Sequence, residues 1–309
     1  MAYLCLTLAL LALGIKGYCG KKTSLYVRIT EDSLLFTLTR LILCALIGAL
    51  VLVLGGGSFA ADGRMLAICA LSGISSAIQL ASWMVAVGCC TMVTLDVSAT
   101  LGSLLPAILG TVLFGDTFSI PKMLGFALII VAMPILAGHS TKTKGRIGPL
   151  GTLALITLGV TEGIFGFGQQ LYVRYYTEGG SLAAGTVYPK SVFNFYIYIF
   201  GAASLLVLWL IMAARRHKTD KTAFSLVGLT KPLPYIAVMA ACLFIATFLQ
   251  TACTGDYGMP SQVLYPAIRG GCLVIGFLLG AIFFGERVTA RSILGASTAL
   301  FGVVLLNIL

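Results

Sequence analysis

Residues 16–28 read Lys-Gly-Tyr-Cys-Gly-Lys-Lys-Thr-Ser-Leu-Tyr-Val-Arg, and residues 162–174 read Glu-Gly-Ile-Phe-Gly-Phe-Gly-Gln-Gln-Leu-Tyr-Val-Arg. Two glycines and the whole Leu-Tyr-Val-Arg run coincide when the two segments are aligned. A second pair of segments matches in the same order, since Phe114-Gly115-Asp116 corresponds to Phe284-Gly285-Glu286. Two ordered matches predict that the chain consists of two similar halves, residues 1–148 and 149–309.

The composition predicts an all-α integral membrane protein. Hydrophobic residues make up 59% of the 309 residues and charged residues only 10%, and the mean hydropathy is +1.04. A soluble domain is about one quarter charged. This chain therefore lacks the polar surface that a soluble enzyme needs, and its apolar content also excludes disorder.

Apolar runs of the length that crosses a bilayer, about 20 residues, recur ten times along the chain. The predicted transmembrane helices are 2–20, 34–54, 65–87, 91–114, 122–138, 150–170, 188–213, 233–255, 262–284 and 289–309. Each half then has five. Because five is odd, the two halves insert with opposite orientation, which predicts two inverted five-helix repeats.

The distribution of basic residues predicts the orientation in an inner or plasma membrane. The net charge is +10, and we interpret most of the excess as a topology signal, not as a nucleic-acid site. The odd-numbered loops contain Lys21, Lys22, Arg28, Lys142, Lys144, Arg146, Arg215, Arg216, Lys218, Lys221, Lys231, Arg287 and Arg291. The other loops contain only Arg64, Lys122, Arg174 and Lys190. The odd loops are therefore expected in the cytoplasm, with both termini extracytoplasmic.

Lys16 and Glu162 are charged residues within predicted spans, and they occupy the same position in the two halves. Charges inside a membrane are costly, so each is a functional-site hypothesis. One interpretation is a pair that flanks a substrate path. The alternatives are a structural salt bridge, or a Lys16 side chain that extends to the cytoplasmic surface. A membrane-embedded Glu162 could also change protonation and couple a proton to transport.

Two arginines, Arg40 and Arg269, also lie within predicted spans. The guanidinium of an arginine binds a carboxylate or phosphate through two parallel hydrogen bonds. The alternative is that the arginines extend to the membrane surface, or pair with Asp96 or Asp256 near helix ends.

Uncharged polar and aromatic residues complete the candidate substrate-binding set. Gln79 and Trp83 are one helical turn apart in the third span, Lys190 and Asn194 are one turn apart in the seventh, and Gln250 is in the eighth. Such groups orient a polar solute when they face a cavity. Three aromatic residues of the seventh span are expected to face lipid or the membrane interface: Tyr196, Tyr198 and Trp209.

No enzyme activity is expected. No Ser–His–Asp or Cys–His grouping can be assembled at one membrane depth, and no glycine-rich phosphate loop with its lysine occurs. The nine cysteines form no C-x-x-C pair, so they are interpreted as small hydrophobic residues. We therefore expect no metal ion or other cofactor.

The chain resembles the drug/metabolite transporter superfamily, in its ten-helix EamA-like type. The C-terminal stretch Phe284-Gly285-Glu286, followed by Gly295 and Gly302, is similar to the family's Gly-Glu turn and glycine-bearing last helix. Arg40 matches an arginine that often opens the family's second helix. Asp116 departs from the family pattern, which has Glu there. We expect both Asp116 and Glu286 to cap helix starts.

The resemblance implies a basket of ten helices around a central cavity, with alternating access and without ATP hydrolysis. The expected function is secondary transport of a small polar metabolite, with efflux of an amino-acid-like or amphipathic compound as the first choice. Uptake of a sugar or another nutrient is the alternative within this class. A non-transporting receptor or a membrane enzyme is the alternative from another class. The coupling ion, a proton or another cation, stays open.

Overall fold

The computed structural model describes residues 1–27, 30–89, 92–115, 119–137, 149–178, 180, 182, 186–217, 229–285 and 289–306. In this part of the chain there are eleven α-helices and no strand. The helices are α1 (Ala2–Ser24), α2 (Thr30–Leu54), α3 (Gly63–Cys89), α4 (Met92–Gly102), α5 (Leu104–Phe114), α6 (Ile120–Ala137), α7 (Pro149–Tyr176), α8 (Lys190–His217), α9 (Leu233–Gly255), α10 (Ser261–Phe284) and α11 (Ala290–Leu306).

Among the described residues, seven helices are long and apolar enough to cross a membrane: α1, α2, α3, α7, α8, α9 and α10. Large apolar side chains cover their outer surfaces, as Leu153, Ile156 and Val160 do on α7. These features confirm the prediction of an all-α, membrane-embedded protein. The apolar segments described in α6 and α11 are shorter, Met123–Ala132 and Ile293–Gly302, so the number of ten spans stays a prediction.

The fourth predicted span is not one continuous helix. It consists of α4 and α5, which are separated at Ser103. Pro106 has no N–H to donate to the carbonyl of Gly102, four residues earlier, so a regular helix cannot continue through this point. The Ser103 hydroxyl instead donates to the Thr100 carbonyl at 2.7 Å. The prediction of a single helix over 91–114 was therefore wrong, and the internal proline explains the break.

Four pairs of helices make the most extensive contacts: α1 with α9, α3 with α7, α2 with α8, and α6 with α11. Each pair joins a helix of residues 1–148 to a helix of residues 149–309. The packing between the two halves thus forms the core of the bundle, and buried side chains from α2, α3, α7, α8 and α9 form its largest apolar cluster.

Glycines allow these helices to approach closely. A Cβ atom at Gly73 in α3 would lie 2.4 Å from the carbonyl oxygen of Ile197 in α8. At Gly163 in α7, a Cβ atom would lie 2.7 Å from the carbonyl oxygen of Gly102. Small residues are favoured at helix contacts in membranes for this reason.

Tyr198 does not face lipid, contrary to the sequence-based expectation. The side chain is 1% exposed, and its hydroxyl donates to Thr247 Oγ1 in α9 at 2.9 Å. The phenol lies in the interior because a neighbouring helix supplies this hydrogen-bond partner.

Several sequence-based predictions fall outside the described residues. Asp116 and Glu286, the expected helix caps, are among them. So are many of the loop residues that indicate orientation, including Arg28, Lys142, Lys144, Arg146, Lys218, Lys221 and Arg287. The cytoplasmic location of the odd-numbered loops therefore stays a prediction.

The Gly73 contact predicts a stability defect. Gly73→Ala should lower the free energy of unfolding by about 1–3 kcal/mol, because the added methyl group meets rigid backbone of α8. An SDS titration in mixed micelles measures this quantity. Gly63→Ala is the matched control, since a Cβ atom there has no neighbour within 4 Å. Equal stability of the two variants would show that the α3–α8 approach is looser than described.

Candidate functional site

A cavity lies between α1, α3, α4, α7 and α10, inside the bundle. Its polar side chains are Lys16, Gln79, Trp83, Asp96 and Arg269. Its apolar walls include Leu13, Ala99, Leu158, Ile275 and Leu279. About 30 Å³ of the cavity is wide enough to admit water. Both halves of the chain contribute charged groups, which makes the cavity the candidate site for a polar ligand.

The carboxylate of Glu162 links three helices beside this cavity. Its Oε1 atom forms a salt bridge with Arg269 Nη2 of α10, and its Oε2 atom accepts a hydrogen bond from Gln79 Nε2 of α3. Glu162 is buried in α7. A buried carboxylate is tolerated only when such partners compensate for lost hydration, so the three side chains form one unit, which we call the Glu162 clasp.

Lys16 belongs to the cavity wall but is not an ion-pair partner of Glu162 within the described residues. Its ammonium lies 5.9 Å from the centre of the Trp83 ring, a cation–π distance. The side chain is buried, so it does not extend to the membrane surface. Lys16 lies within electrostatic range of Arg40, Arg269 and Asp96.

Asp96 is a cavity residue that the sequence analysis considered only as a partner for arginines near helix ends. It lies in α4, and its Oδ2 atom occupies the space beside Gly276 of α10, 2.2 Å from where a Cβ atom of that residue would be. It interacts electrostatically with both Lys16 and Arg269. The signal that could have identified it is simply a carboxylate within an apolar run.

Arg40 is buried near this site without lining the cavity. The side chain is 1% exposed, and its Nε, Nη1 and Nη2 atoms have no hydrogen-bond partner among the described residues. Cys44 and Tyr198 lie near its guanidinium. The structure thus does not pair Arg40 with Asp96 or Asp256, which the sequence analysis considered.

The other three candidate residues do not line this cavity. Lys190 forms a salt bridge with Asp256, and its ammonium lies 5.1 Å from the ring centre of Phe248. Asn194 is buried and donates from Nδ2 to the Lys190 carbonyl at 2.8 Å. Gln250 is buried in α9. Their predicted contacts with a solute stay predictions.

A second polar group, which the sequence analysis did not identify as a site, continues along the same face of α7. Gln169 Nε2 donates to Thr251 Oγ1 of α9 at 3.2 Å. The Tyr265 hydroxyl of α10 donates to the Gly166 carbonyl at 2.9 Å. Glu162, Gly166 and Gln169 follow the four- and seven-residue spacing of one helix face, and this periodicity could have identified Gln169.

Comparison with known proteins supports the fold. No family model matches the chain, and no curated protein matches it. Twenty-eight solved chains are structurally similar, and one crystal structure superposes with a TM-score of 0.68 at 15% sequence identity. The match covers 98% of this chain and 95% of that one, and at this identity it shows a shared fold alone. The chain is accordingly an all-helical, membrane-embedded protein with a buried charged site.

The Glu162 clasp predicts strong energetic coupling between Glu162 and Arg269. Arg269→Met should lower the free energy of unfolding by about 3–5 kcal/mol, because it leaves a buried carboxylate without its cation. The double variant with Glu162→Leu should recover most of that loss. SDS titrations of the single and double variants give the coupling energy.

The salt bridge between Lys190 and Asp256 is a matched control for this measurement. Both side chains are partly exposed, 25% and 46%, so Asp256→Asn should change stability by less than about 1 kcal/mol. Additive losses at Glu162 and Arg269, within about 0.5 kcal/mol, would contradict the coupling.

Proposed function

We propose that this protein is a secondary active transporter that moves a small polar metabolite across the cell membrane by alternating access. The observation that carries the proposal is the buried cavity in which both halves of the chain place charged side chains. We favour efflux of an amino-acid-like or amphipathic solute. The protein then performs no covalent chemistry and needs the lipid bilayer and its solute as partners.

The composition of the cavity supports this solute class. Lys16 and Arg269 provide positive charge and Asp96 provides negative charge, so both groups of a zwitterion find a counterpart. The apolar walls formed by residues such as Leu158 and Ile275 suit a hydrophobic side chain. Ligand sites commonly combine apolar walls with a few convergent polar groups in this way.

The helix packing supports two inverted five-helix repeats. If the first and second halves are exchanged, α1 corresponds to α7 and α3 corresponds to α9. The contact between α1 and α9 then becomes the contact between α7 and α3, and both are among the most extensive in the bundle. The contacts of α2 with α8 and of α6 with α11 map onto themselves. Inverted repeats related by a two-fold axis have this pattern of packing.

A count of ten spans fits the lengths of the shorter helices. We propose that α4 and α5 together form the fourth span, and that α6 and α11 form the fifth and tenth. α6 has 18 residues, which at 1.5 Å per residue is about 27 Å, close to the bilayer core of about 30 Å. This arrangement is the one that the drug/metabolite transporter superfamily would have.

The Glu162 clasp supplies a means of coupling to protons. When Glu162 is ionised, it holds α3, α7 and α10 together through Gln79 and Arg269. Protonation removes the charge that Arg269 pairs with and weakens the link to α10. We propose that the clasp must open in each transport cycle, so proton binding and helix movement are linked.

The transport proposal is tested by flux into proteoliposomes that contain the purified protein. The probes are radiolabelled amino acids, with sugars in parallel, under an imposed proton gradient. Saturable flux that requires the protein supports a transporter, and the probe that moves decides between metabolite and sugar. Binding without flux of any probe would favour a non-transporting receptor and would contradict the proposal.

A neutral residue at position 162 should remove the pH dependence of transport. Glu162→Gln preserves the shape of the side chain and one acceptor oxygen but cannot ionise, so flux should become independent of pH. The initial rate between about pH 5 and pH 8 measures this effect. Glu178→Gln, at an exposed turn, is the matched control and should keep the wild-type profile. If the flux of Glu162→Gln depends on pH as the wild-type flux does, Glu162 is not the group that couples protons to transport.

The proposed orientation places both termini outside the cytoplasm. A reporter fused to the C-terminus that is active only in the extracytoplasmic space, such as alkaline phosphatase, should be active in intact cells. A reporter that fluoresces only in the cytoplasm should be dark in the same position. The reverse result would refute the outward termini and would invert the assignment of both membrane faces.

A further inference from the structure

Arg40 is buried without a counter-ion or a hydrogen-bond acceptor among the described residues, which is unusual for an arginine with a purely structural role. The side chain is 1% exposed, and none of its three guanidinium nitrogens has a hydrogen-bond partner among the described residues. An arginine has five N–H donors in a fixed fork and stays charged in proteins. Burial of such a group without a counter-ion is strongly unfavourable. A bound anion could supply both the negative charge and the hydrogen-bond acceptors that Arg40 lacks among the described residues.

The neighbours of Arg40 do not supply negative charge. The Tyr198 hydroxyl donates to Thr247 Oγ1 at 2.9 Å, and the Cys44 thiol donates to the Ala240 carbonyl at 3.3 Å. Both groups are neutral and are engaged with α9. Lys16 of the cavity wall interacts electrostatically with Arg40 and adds positive charge to this region.

Neither carboxylate described at this site is a hydrogen-bond or salt-bridge partner of Arg40. Both oxygens of Glu162 have partners in Arg269 and Gln79. Asp96 lies against Gly276 and within range of Lys16 and Arg269. Three cations, Lys16, Arg40 and Arg269, thus share two carboxylates, and the surplus of one positive charge lies on the side of Arg40.

Arg40 does not line the cavity described above, so we propose that the cavity extends to Arg40 in the state that binds the solute, and that Arg40 and Lys16 then bind a carboxylate group of the transported solute, such as that of an amino acid or an organic acid. The claim that the bound solute is also transported rests on the proposed function, whereas the claim that Arg40 and Lys16 bind a carboxylate does not. The guanidinium fork matches the geometry of a carboxylate, and a solute with one net negative charge would also balance the surplus positive charge. The Trp83 ring beside Lys16 offers a flat apolar surface to the rest of the solute.

The test is thermal unfolding of the purified protein in detergent with amino acids and short organic acids, each compared with its carboxamide. At least one acid should raise the melting temperature of the wild type, and its carboxamide should not. In Arg40→Met the affinity for that acid should fall about 10- to 100-fold, the loss of a charge-assisted hydrogen-bond pair. Arg40→Lys keeps the charge without the fork and should retain part of the binding.

The stability of the ligand-free variants separates a binding site from a structural role. Without ligand, Arg40→Met should melt at the same temperature as the wild type or higher, because it removes a buried unpaired charge. Arg64→Met is the matched control, since Arg64 is exposed at the start of α3 beside the Tyr175 ring, and it should bind the acid as the wild type does. A large loss of stability in ligand-free Arg40→Met would assign Arg40 to structure and overturn the proposal.

Three further results would also overturn it. One is that no acid changes the melting temperature of the wild-type protein. Another is that an acid and its carboxamide raise the melting temperature equally. The third is that sodium chloride at equal ionic strength produces the whole shift, which would define an inorganic anion site. The outcome is separable from transport itself. Binding that depends on Arg40 without flux would refute only the transporter, whereas flux unchanged in Arg40→Met would refute only this site.

Discussion

The arrangement of the bundle depends on how one buried carboxylate is neutralised. Glu162 would destabilise α7 strongly if it stood alone in the membrane interior. Its two oxygens instead engage Gln79 of α3 and Arg269 of α10, so the position of each of these helices is tied to the other two. Asp96 and Lys16 lie in the adjoining cavity wall, where they interact electrostatically with each other and with Arg269.

Close helix approach makes this clasp geometrically feasible. Gly102 and Gly159 bring α4 against α7, since a Cβ atom at Gly102 would lie 2.0 Å from the Gly159 carbonyl oxygen. The break between α4 and α5 at Ser103 lies next to this contact. In lipid, apolar side chains gain little by leaving the surrounding tails, so close backbone packing and buried polar contacts must hold the bundle together.

Composition and periodicity were sufficient to predict the helices and the charges inside them, whereas contacts between distant helices could not be predicted from the sequence. Long apolar runs predicted ten spans, of which seven are long and apolar enough to cross a membrane within the described residues, and charges inside them, of which Lys16, Arg40 and Glu162 are buried. The lipid-facing expectation for Tyr198 was wrong, because its partner Thr247 lies 49 residues away and leaves no local signal. Asp96 does have a local signal, a carboxylate within an apolar run, but its interactions with Lys16 and Arg269 become apparent only in the folded bundle.

The two copies of the Leu-Tyr-Val-Arg run have different surroundings despite their identical sequence. Tyr172 is 1% exposed and stacks on Phe193 at 4.2 Å between ring centres, whereas Tyr26 is 38% exposed. Under the proposed inverted topology these tyrosines lie at opposite membrane faces. Tyr172 thus takes part in aromatic packing between α7 and α8, whereas the equivalent Tyr26 is largely outside the packed interior. If the proposed repeat is correct, an exchange of these two packing arrangements between the halves would give a second state, and the alternating access proposed above requires such a pair of states.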